Sequence, residues 1–245
     1  MWTNKQLKYH VDAAKLLIKI KDLTFDHIRK NHSISEYEVQ QFILEKFVEY
    51  GLHSDKDPPI VGFGKHTATP EFYPKKESSR LTPGTFILID LWAKFENKEA
   101  PFADITWVAY HGNKVPKDIL HVFDVAALAR DKTLDFISKE LRNNRIPTGK
   151  SADNITRLAI VDAGFGSNIK HDVGHSLGTL RDHGGKPDWL YPKNLSTLNK
   201  VLGYTIEPGI YLDGKFGVRL ELDFYISKDD KLVVTTAIQK KIVLV

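Results

Sequence analysis

The sequence predicts an α+β fold of two similar halves, each an antiparallel sheet with helices on one side, closing on a shared site. Stretches with apolar residues at helical spacing alternate with β-rich stretches in the order helices, strands, helices, strands. Two of the β-rich stretches read as hairpins, one in each half, and each carries two acids fourteen positions apart. They are Asp90 and Asp104 in the first, and Glu207 and Glu221 in the second. Asp90 and Asp104 sit among Ile, Leu and Ala in strand interiors, where aspartate is depleted, so each needs a reason to be there.

From Leu7, the positions Leu7, Val11, Ala14, Ile18, Phe25 and Ile28 predict an amphipathic helix through Arg29. Ser35 and Glu38 form a capping box that opens a second helix, with Val39, Phe42, Ile43 and Phe47 on one face and Gly51 as its stop. Pro58 and Pro59 lead into a short strand, Ile60 to Phe63. The turn-rich loop Gly64 to Pro74 follows, with His66, Glu71 and Tyr73, and its place before the first hairpin makes it a candidate site wall.

The first hairpin covers Leu88 to Val108. Val115-Pro116 then opens a long helix, Lys117 to about Arg142, and a shorter helix runs from near Ser151 to Gly164. In the stretch His171 to His183, Gly174 and Gly178 flank His175, which predicts close backbone packing around a confined imidazole. The second hairpin pairs Tyr204 to Leu212 with Phe216 to Ile226 across Asp213-Gly214, a dipeptide suited to a tight turn. That pairing places Glu207 and Glu221 on neighbouring strands, where they repel unless a cation lies between them. Arg219 and a metal ion are the two candidates.

The 245 residues suit one domain, 1–245, or a fused pair of halves. The net charge of +4, from 35 basic and 31 acidic residues, is scattered along the chain and does not indicate nucleic-acid binding. No apolar run approaches the roughly 20 residues of a membrane span, and MWTNKQLKYH lacks the pattern of a secretory signal, so a cytoplasmic location is expected. With no cysteine, metal chemistry falls to Asp, Glu and His. Asp90, Asp104, His175, Glu207 and Glu221 suit Mn²⁺, Co²⁺ or Zn²⁺, and five ligands exceed what one ion needs.

In chain order, LID and ADIT around Asp90 and Asp104, VGHSLG around His175, TIEPGIY around Glu207 and GVRLE around Glu221 resemble the pita-bread metallopeptidases. This superfamily includes Xaa-Pro aminopeptidase, prolidase, methionine aminopeptidase and creatinase. EPGIY and GVRLE are closer to the Xaa-Pro branch. The resemblance, from the Ser35 helix to the last strands, implies one catalytic-type domain with the pita-bread fold. That fold has two pseudo-symmetric halves with curved antiparallel sheet and helices on the outer side.

The resemblance also implies two divalent ions (Mn, Co or Zn), with Asp90 on one, Asp104 and Glu221 on both, and His175 and Glu207 on the second. Glu207 is further implied as the proton carrier and His171 as a residue of the substrate pocket. The implied activity is hydrolysis of N-terminal peptide bonds of small peptides, with proline in the second position, by a monomer or homodimer. Thr106 is expected to orient Asp104. Aromatics of Phe72-Tyr73, Phe95 to Phe102 and Trp189 to Tyr191 are candidates for the pocket wall.

Two positions depart from the family pattern. Glu71 and Asp182 stand where relatives usually have histidines, with His183 one step later. An active peptidase then requires His183 and His66 to take over. Otherwise the chain is a metal-binding homologue with lost or altered activity, whereas a metal-free creatinase-like hydrolase is disfavoured by the complete ligand set.

Overall fold

The computed structural model describes residues 1–245. Helix α1 spans Asn4–Lys30, longer at its start than the apolar period predicts, because Thr3 and Gln6 close a capping box. Helix α2 spans Glu36–Glu49 and begins at the Ser35–Glu38 box, with the Ser35 N–H donating to Glu38 Oε2 at 2.7 Å. Strands β1 (Leu52–His53) and β2 (Ile60–Phe63) both pair antiparallel with β3 (Phe86–Phe95), which pairs antiparallel with β4 (Ala103–Tyr110). The loop after β2 opens as one 3₁₀ turn, Gly64–Ala68.

Alternation along β3 and β4 decides which way the acids point. Ile87, Ile89 and Leu91 on β3 and Ile105, Trp107 and Ala109 on β4 pack on α1 and α2. Leu88, Trp92 and Val108 face the other way, into a core shared with the second half. Asp90, Asp104 and Thr106 fall on this second face, turned away from the helices.

Helix α3 spans Lys117–Arg142. Helix α4 spans Gly149–Asp162, starting ahead of Ser151 because Thr148 is the cap and accepts from the Ser151 N–H at 3.1 Å. The second hairpin differs from its sequence reading. Instead of two unbroken strands there are four, β5 (Gly203–Ile206), β6 (Gly209–Leu212), β7 (Phe216–Arg219) and β8 (Leu222–Ile226), with both glutamates at the breaks. Pro208 has no N–H to continue the ladder, and the Glu221 N–H donates to the Thr106 carbonyl of β4 at 3.2 Å. That bond ties the halves together at the acids. Strands β5 and β8 extend to β9 (Leu232–Val234), β6 and β7 form a separate pair, and β10 (Val243–Leu244) lies parallel to β4. No helix is long and apolar enough to cross a membrane.

His10 fastens α1 to both halves. Its Nδ1–H donates to the Phe102 carbonyl at 2.9 Å, and its Nε2 accepts from the Thr235 hydroxyl at 2.7 Å. Burial pushes its pKa from 6.5 down to about 4, so the folded state holds it neutral. The stability gained is full above pH 6.5 and is lost as pH falls through 4, about 3 kcal/mol in all. In chelator, His10→Gln is expected to flatten the acid loss of stability between these limits in urea titrations. An acid limb as steep as that of the parent would exclude His10 as its source.

Candidate active site

The carboxylates meet in a polar cavity of about 910 Å³ between the two hairpins. The equal spacing of the two acid pairs conceals two geometries. Asp90 stands opposite Thr106 and Asp104 opposite Trp92, so the aspartates share a face one step out of register. The second hairpin keeps its register through the break, with Ile206 opposite Leu222 and Gly209 opposite Arg219. Glu207 therefore faces Glu221 directly.

His175 is delivered by the close packing its glycines predict. A Cβ on Gly174 would lie 2.3 Å from the Thr205 carbonyl oxygen, and one on Gly178 would lie 2.3 Å from that of Arg181. The His175 Nδ1–H donates to the Ser176 carbonyl at 3.1 Å, which leaves Nε2 with its lone pair. That nitrogen lies 3.7 Å from Asp104 Oδ2 and 3.5 Å from Glu207 Oε1. Ligand atoms of Asp104, His175 and Glu221 all lie within 4.8 Å of one another. Glu207 adjoins this trio, and Asp90 stands at its edge.

Two expected partners are placed differently. Arg219 does not sit between the glutamates; its Nη2 pairs with Asp90 Oδ2, while Nε donates to Thr106 Oγ1 at 3.0 Å. Thr106 in turn does not orient Asp104. Its hydroxyl donates to Glu221 Oε2 at 2.7 Å, as the β3–β4 register dictates by setting Thr106 opposite Asp90 and beneath the Glu221 strand.

His171 lies in the cavity wall, with its Nδ1–H donating to the Asp172 carbonyl at 2.7 Å and its Nε2 accepting from the Tyr211 hydroxyl at 2.7 Å. Its Nδ1 is 3.8 Å from Glu207 Oε2. His183 also lines the cavity, with its ring 3.8 Å from that of His175 and 47% of its side chain exposed. His66 does not join them. Glu36, buried at the start of α2, accepts from its Nδ1–H at 2.8 Å, and its ring stacks on Phe72, which holds it out of the cavity wall.

Glu71 is exposed on the cavity rim, and Asp182 is half-buried. Of the expected aromatics, Tyr73 and Trp189 line the cavity, whereas Phe102 belongs to the core. Trp92, Asp55, Arg157 and Lys170 also line it and carry no sequence pattern that marks them.

The electrostatics call for cations. Burial, and then repulsion from Glu221, pushes Asp104 well above the usual carboxylate range; burial and then Glu207 do the same to Glu221. Burial pushes Glu207 up to about 8 against the pull of Arg219, and drives His175 well below the ordinary imidazole value. Oδ1 of Asp90 and Oδ1 of Asp104 are buried with no hydrogen-bond partner. Orphaned carboxylate oxygens beside an unprotonated imidazole nitrogen fit a divalent metal centre by donor chemistry.

Residues 10–228 match metallopeptidase family M24. An uncharacterized peptidase of Staphylococcus aureus is 28% identical over 223 residues, covering 91% of this chain and 59% of that protein. The structure is similar to that of a recombinant prolidase from Thermococcus sibiricus, with a TM-score of 0.87 and 25% identity over 100% of this chain and 62% of that one. It is also similar to an X-Pro aminopeptidase from Thermotoga maritima, with a TM-score of 0.86 and 26% identity over 99% of this chain and 64% of that one. The chain thus spans about three fifths of the length of these relatives. The fold is the expected pita-bread arrangement.

Proposed function

The chain belongs to metallopeptidase family M24, and on that premise we propose that it is a metal-dependent aminopeptidase or dipeptidase that hydrolyses small Xaa-Pro peptides. The observation that carries this reading is the Asp104–His175–Glu221 trio, with the unpartnered Oδ1 of Asp104 buried at a cavity large enough for a dipeptide. Asp90, Asp104, His175, Glu207 and Glu221 would hold two divalent ions, Mn, Co or Zn. Such ions supply a Lewis acid for the peptide carbonyl and a lowered pKa for bound water.

In this reading Glu207 takes the proton of the attacking water and passes it to the leaving amine. The Thr205 hydroxyl, 3.3 Å from Glu207 Oε1, holds that carboxylate in place, and the backbone before Pro208 fixes its entry into the cavity. His171 lines the pocket with a ring locked by Asp172 and Tyr211. His183, with its ring beside that of His175 and its Nε2 3.5 Å from Asp182 Oδ2, offers an N–H to the reacting carbonyl in place of the histidine usual at position 182. Tyr73, Trp92 and Trp189 supply the apolar surface for a proline ring.

Elemental analysis of protein dialysed against Mn²⁺, Co²⁺ or Zn²⁺ tests the metal part of this reading. Near two ions per chain are expected; protein that takes up none of the three would end it. A second reading, a metal-binding homologue with altered activity, draws on Glu71 and Asp182. It predicts the same metal content without Xaa-Pro cleavage.

A further inference from the structure

The chain from Ser176 to Gly184 folds back on itself as a tight hairpin, with Asp182 and His183 on its returning arm. The Gly178 N–H donates to the Asp182 carbonyl at 2.9 Å, and the Gly184 N–H to the Ser176 carbonyl at 2.6 Å. The outgoing arm is anchored on β5, where the Leu177 N–H donates to the Gly203 carbonyl at 2.8 Å. The tip reaches across to the first half of the molecule. There the Phe102 N–H donates to the Gly178 carbonyl at 3.0 Å, and Lys94 Nζ donates to the Thr179 carbonyl.

Lysine is a costly residue for that place. Alternation along β3 puts Lys94 on the same face as Asp90 and Trp92, and it is only 6% exposed. Its ammonium lies 5.4 Å from the centre of the Phe102 ring. Burial pushes its pKa below the usual lysine value, and no carboxylate partner offsets the shift. A buried ammonium without a counterion destabilises the fold, whereas methionine would fill the same space with no charge to desolvate. What only the ammonium supplies is the charge-assisted bond to the hairpin tip.

We propose that Lys94 is a positioning residue, whose bond to Thr179 sets the angle at which the hairpin presents Asp182 and His183 to the cavity. Lys94 and Phe102 stand just beyond Ala93 and Ala103, the last paired residues of β3 and β4. The sheet that holds Asp90 and Asp104 therefore also holds the hairpin, so metal ligands and His183 share one frame. This deepens the peptidase reading and rests on it only for the use of His183 at the reacting carbonyl.

The test compares the parent with Lys94→Met, first by amide hydrogen exchange of the full chain in chelator and then by kinetics on Ala-Pro with Mn²⁺ restored. Exchange at Gly178 and Gly184 is expected to quicken roughly tenfold, while β3 and β5 keep their protection and the urea midpoint does not fall. The value of kcat is expected to drop roughly tenfold, with KM changed by less than about twofold. Because Lys94 acts through His183, the drop should vanish in a His183→Gln background. Unchanged exchange in the hairpin, or an unchanged kcat in an active protein, would overturn the proposal. Faster exchange spread over the whole chain would make Lys94 a general buttress and overturn it too, as would a kcat loss that persists undiminished beside His183→Gln. Faster exchange confined to the hairpin, in a protein whose metal-loaded parent releases no proline, would uphold the positioning and remove the peptidase reading.

Discussion

Glu207→Gln is expected to lower kcat on Ala-Pro by about 10²- to 10⁴-fold, the range that a general acid–base group supplies. The amide keeps the size of the side chain and can still hydrogen-bond the Thr205 hydroxyl, so the break before Pro208 and the β5–β8 register survive. What it loses is the capacity to take and return a proton at the face of the cavity opposite Glu221. KM should move much less than kcat, because binding the peptide does not require that transfer. Stopped assays over a range of peptide concentrations, with thermal unfolding as a check on folding, separate the two constants. Turnover within a few-fold of the parent at full metal content would remove Glu207 as the proton carrier.

Asp104→Ala is expected to abolish stable metal binding. Asp104 is the one carboxylate that comes within reach of both His175 and Glu221 in the buried trio while presenting an oxygen with no other partner. Its backbone is held independently, the N–H donating to Asp223 Oδ2 at 2.9 Å, so removing the side chain leaves the strand where it is. In chelator the variant should fold as well as the parent, since the deletion also removes a buried carboxyl crowded by Glu221. Metal content by elemental analysis should fall from near two ions per chain to below one. A variant that retains two ions would sink the assignment of the site.

Much of this arrangement was legible in the sequence because it is locally encoded. The Ser35–Glu38 box marks the start of α2, and the two-residue period of β3 and β4 turns Asp90 and Asp104 to a common face. Gly174 likewise reports the nearness of Thr205, because no side chain fits there. What escaped depends on contacts between distant segments. The breaks at Glu207 and Glu221 arise where β8 leaves its own hairpin to bond Thr106 on β4, 115 positions away in the chain.

The partners of Arg219 and Thr106 follow from the same crossing, which no local period records. His66 was drawn towards the site by its place in the loop but is claimed by Glu36, buried thirty positions earlier. Asp55 sits in a short turn between two strands with no periodic signal, and only the fold brings it to Trp92.

The measurement that bears most directly on a metal-dependent peptidase is proline release from Ala-Pro by metal-stripped protein before and after Mn²⁺ is added. The account predicts no release in chelator and release that saturates as about two ions per chain are restored. Undiminished release in chelator, or none from fully metal-loaded protein, would contradict it.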